Sequence, residues 1–252
     1  MHEPGATVDA PRILSIVIPV RDEADNVAPL AREIVAVLAD VRPFEIIFVD
    51  DASTDRTVRN ILAARQASVP QIRLLRHCRG CGQSIAMQTG VRAARGEWIV
   101  TLDGDGQNDP ADIPVLLRAL AEGGSAGDLK LIVGNRKARR DTWLRRVSSR
   151  IANAVRRGML RDDTPDTGCG IKLFHRETFL QLPAFNHMHR FMPALFQRAG
   201  ARVMSVEVRH RSRMHGRSKY GLNNRLWVGI VDLFGVRWLI RRAPLRAAVT
   251  EE

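Results

Sequence analysis

Short apolar runs and segments of helical period alternate through residues 13–136, and that alternation leaves few architectures open. "ILSIVIPV" (13–20) precedes "DNVAPLAREIVAVLAD" (25–40), with Asp25 placed to cap the helix. "FEIIFVDD" (44–51) precedes "STDRTVRNILAARQ" (53–66), and "IRLLR" (72–76) precedes "RGCGQ" and then "SIAMQTGVRAARG" (84–96). "EWIVTLD" (97–103) follows, then a helix capped by Asp109 with Pro110 in its first position, then "DLKLIVGNR" (128–136). The β-branched runs read as buried strands. Strand–helix alternation of this kind predicts an α/β fold: a mainly parallel sheet with helices on both faces.

Ligands of such sheets sit at the carboxyl ends of the strands. The polar clusters fall there: Arg21 to Glu23, Asp50 with Asp51, and Asp103 to Gln107. Asp103 and Asp105 lie two apart in a turn, so their carboxylates can converge, and convergence is costly unless a cation sits between them. Hard oxygen ligands on a loop suit Mg²⁺ or Mn²⁺, and Gln107 adds a neutral oxygen at the same spacing. The alternative is a solvated acidic turn. Asp50 and Asp51 suit the N–H and O–H donors of a nucleoside, although Asp51, Ser53 and Asp55 could equally cap the helix that follows. "RGCGQ" could approach a phosphate. It is not a G-x-G-x-x-G after the first strand, which argues against an NAD-type fold.

Composition narrows the partners. The net charge is +12, and among 39 basic residues only four are Lys. Arginine grips phosphate bidentately, so phosphorylated ligands, nucleic acid and anionic membrane surfaces are all compatible. Three cysteines argue against a disulfide framework and for a reducing compartment. Cys78 and Cys81 form C-x-x-C beside His77, but no second pair stands at matching spacing, so the segment reads as a loop of small residues. No signal peptide and no membrane-spanning helix are expected.

Beyond Arg136 the pattern changes. "DTWLRRVSSRIANAVRRGML" reads as a basic amphipathic helix, "TGCGIKLF" as a short strand entered by a glycine turn, and "MHRFMPALFQRAG" as a helix. "ARVMSVEVRH" reads as a strand and "RSRMHGRSKYGLNN" as a basic loop. "RLWVGIVDLFGVRWLIRR" either lies in a membrane interface or packs on the domain.

"IVIPVRDEADN", "FVDDASTDRT", "CGQSIAMQTG", "TLDGDGQNDP", "TGCGIKLFHR", "RFMPAL" and "HGRSKYG" stand in the order seen in family 2 glycosyltransferases. The set most resembles the dolichol-phosphate mannosyltransferases and their bacterial polyprenyl-phosphate relatives, over residues 12–222. The resemblance implies a GT-A fold, a nucleotide-sugar donor and one divalent cation, Mg²⁺ or Mn²⁺. It implies that Pro19, Arg21, Glu23, Asp50 and Asp51 line the nucleoside pocket, though the family often has an aromatic where Arg21 stands. Gly82, Gly104, Arg136 and Lys219 join the donor site by the same resemblance. Asp103, Asp105 and Gln107 match its metal motif, and Arg145, Ser149 and Arg213 its grip on an acceptor phosphate. Asp105, Asp166 and Arg213 are the implied catalytic residues.

The expected activity is therefore inverting transfer of a sugar from a GDP- or UDP-sugar to a polyprenyl phosphate, at the cytoplasmic face of a membrane. One rival is a family member acting on a sugar or protein hydroxyl, with Asp166 the first candidate for the base such chemistry needs. A nucleic-acid binder is suggested by charge alone and lacks interleaved aromatics, since the chain has one Tyr. Residues 12–222 are expected to form the catalytic domain, and 223–252 a C-terminal amphipathic helix and tail.

Overall fold

The computed structural model describes residues 13–40, 43–124, 127–136, 156–162, 164–209, 211 and 222–242, with side chains of the last segment described from 229. The chain divides into two compact units, Met1–Arg140 with Thr164–Arg217, and Asp141–Asp163 with Ser218–Glu252.

The first unit is built on seven strands: β1 (Leu14–Val20), β2 (Phe44–Asp50), β3 (Ile72–Arg76), β4 (Trp98–Thr101), β5 (Leu129–Arg136), β6 (Lys172–His175) and β7 (Arg202–Val208). They are ordered β3-β2-β1-β4-β6-β5-β7. β1 pairs in parallel with β2 and β4, β2 with β3, and β5 with β7, while β6 runs antiparallel between β4 and β5. The sheet is thus mainly parallel, as expected. The short strand read in "TGCGIKLF" is its one reversed member, so the chain enters β6 from the edge at which β4 and β5 end.

Alternation along the strands buries both faces. Leu14, Ile16 and Ile18 of β1, with Ile46 and Phe48 of β2, pack with α1 (Val27–Val37), α2 (Thr57–Ala67) and α4 (Ile113–Gly123) through Leu30, Ile34, Ile61, Leu116 and Leu120. The opposite face takes α3 (Gln83–Ala93). Gly90 lets that helix lie close, since a Cβ there would stand 2.4 Å from Val17 Cγ1 and 3.0 Å from Val49 Cγ2. Phe174 of β6 stacks on the same side against Phe179 of α5 (Arg176–Leu180) and Phe196 of α6 (Met192–Arg198). The helix read through 188–200 is interrupted: a 3₁₀ turn at Met188–Arg190 precedes α6. α1 starts one residue later than the sequence suggested, with Asn26 and not Asp25 in the capping position. Of the basic helix expected over 141–160, residues 156–160 are helical and the rest lie outside the described residues.

The amino edge of the sheet is tied by one buried carboxylate. Glu45 accepts from the Ser15 hydroxyl (2.7 Å) and the Arg95 N–H (2.7 Å), and Arg73 pairs with its other oxygen. Ser15 also accepts from the Gly96 N–H (2.9 Å), so β1, β2, β3 and the entry to β4 share one network. Burial pushes the Glu45 carboxyl up, but the Arg95, Ser15 and Arg73 donors more than offset this and hold it below the usual range. A carboxylate depressed in the fold contributes stability above its unfolded pKa, and that contribution is lost as pH falls through the folded value. Glu45→Ala is therefore expected to cost about 3 kcal/mol at neutral pH and much less in acid, measured by urea unfolding at both pH values. An equal cost at both would contradict the ionic reading.

Candidate active site

The strand order reverses between β1 and β4, since β2 and β3 lie to one side of β1 and β4 to the other. The loops leaving β1, β2 and β4, with the end of β5 at Arg136, stand at the carboxyl edge beside that switch point, where α/β sheets hold ligands.

The loop after β4 is shaped around Asp103. Its N–H donates to Asn108 Oδ1 (2.9 Å), which closes a turn containing Gly106 at φ 74°. Gln83 Nε2 donates to Asp103 Oδ1 (2.8 Å), linking the turn to the start of α3. Two glycines permit this closure. A Cβ on Gly104 would meet Val20 Cγ1 at 2.6 Å, and one on Gly170 would meet Asp103 Oδ2 at 2.1 Å and Asn108 Oδ1 at 2.5 Å. Burial raises the Asp103 carboxyl above its ordinary value, and the charge of Asp105 raises it further, against Lys172 and Arg136. Asp105 is itself buried, and its Oδ1 accepts from the Gln107 N–H (3.1 Å). Two carboxylates that disfavour one another, on a loop with the side-chain oxygens of Asn108 and Gln107 nearby in sequence, form a donor set of the hard-cation kind.

Asp109 does not join that pair. It accepts from the Ala111 N–H (2.9 Å), as a cap of the turn at Pro110–Asp112, and from Arg211 Nη2 (2.7 Å). Arg211 also donates to Glu33 (2.6 Å) and, through its backbone N–H, to the Gln107 carbonyl (3.1 Å). The metal-type loop is thereby fastened to α1 and to the chain leaving β7.

Asp51 is a hub. Its Oδ1 accepts from the Cys81 N–H (2.7 Å) and lies 2.8 Å from His77 Nδ1, and its Oδ2 accepts from the Gly82 N–H (2.8 Å). Burial pushes the Asp51 carboxyl up, but these partners prevail and hold it below the usual range. Asp51 does not cap α2: Arg56 stands in the capping position without a side-chain cap, and the carboxylate that reaches the helix start is Asp55, which accepts from the Thr57 N–H (2.9 Å). Asp50 is fully buried, with Oδ1 accepting from the Ser53 N–H (3.3 Å) and Arg76 3.8 Å away. Arg21 lies over the loop between His77 and Gly82: a Cβ on Gly80 would stand 2.6 Å from its Nη1. Glu23 accepts from Asn26 Nδ2 (2.6 Å), and Pro19 borders Gly104 through its carbonyl.

At the end of β5, Arg136 holds Asp166 in a two-point fork, Nε to Oδ2 at 2.6 Å and Nη2 to Oδ1 at 2.9 Å. Both side chains are mostly buried. The structure thus brings together Pro19, Arg21, Asp51, Gly82, Asp103, Gly104, Asp105, Gln107, Arg136 and Asp166 along one edge of the first unit. Arg145, Ser149, Arg213 and Lys219 lie outside the described residues.

Three contributors were missed by sequence reasoning. Lys172, 4% exposed, donates to the Cys169 carbonyl and faces Asp103; burial pushes its pKa down. Its only signal was its place in "GIK". His189 Nδ1 lies 2.8 Å from Ser84 Oγ at the start of α3, and burial beside the Lys172 charge pushes its pKa down to about 3. Asn108 is the third, its side chain closing the turn on Asp103.

In the second unit, α7 (Leu222–Arg241) displays Val231, Phe234 and Trp238, 66%, 62% and 61% exposed. No helix among the described residues is long and apolar enough to cross a membrane.

The profile of glycosyl transferase family 2 matches residues 15–182. The chain is 36% identical over 232 residues to a dodecaprenyl-phosphate galacturonate synthase of Rhizobium johnstonii, covering 90% of this chain and 67% of that protein. It is 30% identical over 213 residues to an undecaprenyl-phosphate 4-deoxy-4-formamido-L-arabinose transferase of Edwardsiella ictaluri, covering 84% and 64%. The chain thus spans about two thirds of the length of these relatives. Among solved structures, a mannosyltransferase from Pyrobaculum calidifontis in complex with GDP-Man and Mn²⁺ superposes with a TM-score of 0.65 at 20% identity, covering 95% of this chain and 67% of that one. A glucosyl-3-phosphoglycerate synthase from Mycobacterium tuberculosis in complex with UDP gives 0.67 at 19% identity, covering 97% and 87%. With the carboxylate pair at the switch point and the GT-A arrangement of the sheet, these matches establish that the chain belongs to glycosyl transferase family 2.

Proposed function

We propose that this chain moves a sugar, with inversion, from a nucleotide-diphosphate donor to a polyprenyl phosphate. The observation that carries the reading is the fork between Arg136 and Asp166. A hydroxyl acceptor needs a base to take its proton, and Asp166 was the first candidate. A carboxylate gripped at both oxygens by a guanidinium is a weak base. A phosphate monoester is already ionised near neutral pH, so it needs cations and not a base. The names of the relatives, both polyprenyl-phosphate enzymes, support the same class of acceptor.

In this reading Asp103 and Asp105, with Gln107, hold Mg²⁺ or Mn²⁺, which when bound neutralises charge on the leaving diphosphate. Gly104 and Gly170 keep the carboxylates where they are, because side chains at either position would displace the loop. Arg21 and Asp51 border the nucleoside through the loop from His77 to Gly82. Asp166 orients Arg136 toward the diphosphate. Arg145, Ser149 and Arg213 grip the acceptor phosphate, and Lys219 closes on the donor. A lipid acceptor places the chain at the cytoplasmic face of a membrane, with the exposed Val231, Phe234 and Trp238 face of α7 against it.

Two measurements test the assignments. A carboxyl raised in the fold binds its proton more tightly in the native state, so it lowers stability as pH rises through the window above the unfolded value. Asp103→Asn should therefore raise the melting temperature of the metal-free protein at neutral pH by a few degrees, on the order of 1 kcal/mol in a domain of this size, and abolish stabilisation by Mn²⁺. Retained Mn²⁺ stabilisation would remove Asp103 from the ligand set. For the acceptor, steady-state kinetics with a nucleotide sugar and a polyprenyl phosphate should show Asp166→Asn slowed about tenfold or more, with the shape of its pH–rate profile unchanged. Disappearance of an acid limb in that variant, or faster use of a neutral alcohol than of any lipid phosphate, would favour the hydroxyl-acceptor reading.

A further inference from the structure

The C-x-x-C segment lacks a second cysteine pair in the sequence, but the fold supplies other ligands from a different strand. Asp51, just beyond β2, and His77, just beyond β3, stand with Cys81, and one ligand atom from each lies within 4.8 Å of the others. Among the described residues this is the one group of three such side chains so placed. We infer that Asp51, His77 and Cys81 form a site for a thiophilic divalent cation of the Zn²⁺ type, separate in chemistry from the oxygen set at Asp103 and Asp105.

A thiolate, an imidazole and a carboxylate are the three ligand kinds that Zn²⁺ takes, and three protein ligands with one open position is a common arrangement for it. Mg²⁺ avoids sulfur and nitrogen, so the two sites discriminate by ligand softness. The outer shell is already built. His77 Nε2 lies 3.0 Å from Thr89 Oγ1, so an Nε2–H can donate to that hydroxyl and leave the Nδ1 lone pair for the cation. The Gly82 N–H holds Asp51 Oδ2 (2.8 Å), which keeps the carboxylate facing the loop. On binding, the Cys81 S–H bond breaks, a sulfur–metal bond forms and one proton leaves to solvent. A neutral imidazole offers Nδ1 once its single proton stands on Nε2 facing Thr89 Oγ1, and that choice of tautomer releases no proton. The hydrogen bond between His77 Nδ1 and Asp51 Oδ1 (2.8 Å) gives way to two metal bonds, which need those atoms only slightly further apart. The Cys81 thiol, now 3.3 Å from the Arg79 carbonyl, turns toward Asp51.

The probe is Co²⁺ added to the full chain in excess Mg²⁺, followed by absorption, with Zn²⁺ as competitor. The site predicts one equivalent of Co²⁺ with a thiolate-to-cobalt charge-transfer band that millimolar Mg²⁺ leaves and Zn²⁺ removes. Calorimetry in buffers of different ionisation enthalpy should count one proton released for each Zn²⁺. Cys81→Ser should abolish the band, and Thr89→Val should weaken Zn²⁺ about tenfold through the lost outer-shell bond. Cys78→Ser should keep the band. Asp103→Asn should also keep it, so failure of the catalytic-metal reading and failure of this one are told apart. No saturable band, a band that follows Cys78 in place of Cys81, or one that Mg²⁺ displaces overturns the inference.

Discussion

The repulsion between Asp103 and Asp105 is the constraint around which the rest of the first unit is arranged. The charge of Asp105 raises the cost of ionising Asp103, and the fold tolerates the pair by placing the positive charges of Lys172 and Arg136 behind it. Lys172 does this from inside the sheet and Arg136 from the end of β5. β6 must run antiparallel to bring Lys172 to that edge, since its first residue pairs with Thr101 at the end of β4 and with Val133 of β5. The reversed strand is therefore part of the electrostatic design of the site.

A second set of interactions fixes the other half of the edge. Asp51 organises the loop from His77 to Gly82 through backbone N–H donors, so a charged side chain in the middle of the site also serves as its scaffold. This dual use explains why a residue placed by resemblance in the nucleoside pocket has most of its lone pairs already engaged. Any ligand at Asp51, nucleoside or cation, must share it with the loop. The same economy appears at Arg211, which binds Glu33, Asp109 and the carbonyl of Gln107 and so joins three elements remote in sequence.

Much of the outline was legible in the residues. The alternation of β-branched runs and helical periods located the strands, and the polar residues following them do gather at the carboxyl edge of the sheet. The cap at Asp109 with Pro110 behind it was readable because both act locally. The orientation of β6 was not, because antiparallel pairing of a four-residue strand leaves no local signature in its own sequence. The break between Met188–Arg190 and α6 was hidden for a related reason: helical period continues through it while the backbone does not.

What the sequence determined by itself is the class of fold, the edge at which the candidate site residues stand and, through its ordered motifs, the family. Those follow from short continuous apolar runs alternating with segments of helical period, and from short loops that act where they stand. Tertiary structure alone decided the partners of each charge: that Asp166 rests on Arg136, that Lys172 faces Asp103, that Asp109 turns to Arg211, and that Cys81 meets Asp51 and His77. These pairs are separated by 26 to 102 residues wherever their hydrogen bonds are direct. No local pattern encodes such contacts, because the free energy that selects them comes from burial of the sheet's two faces, and the charges are matched only once that burial has set the register of the strands.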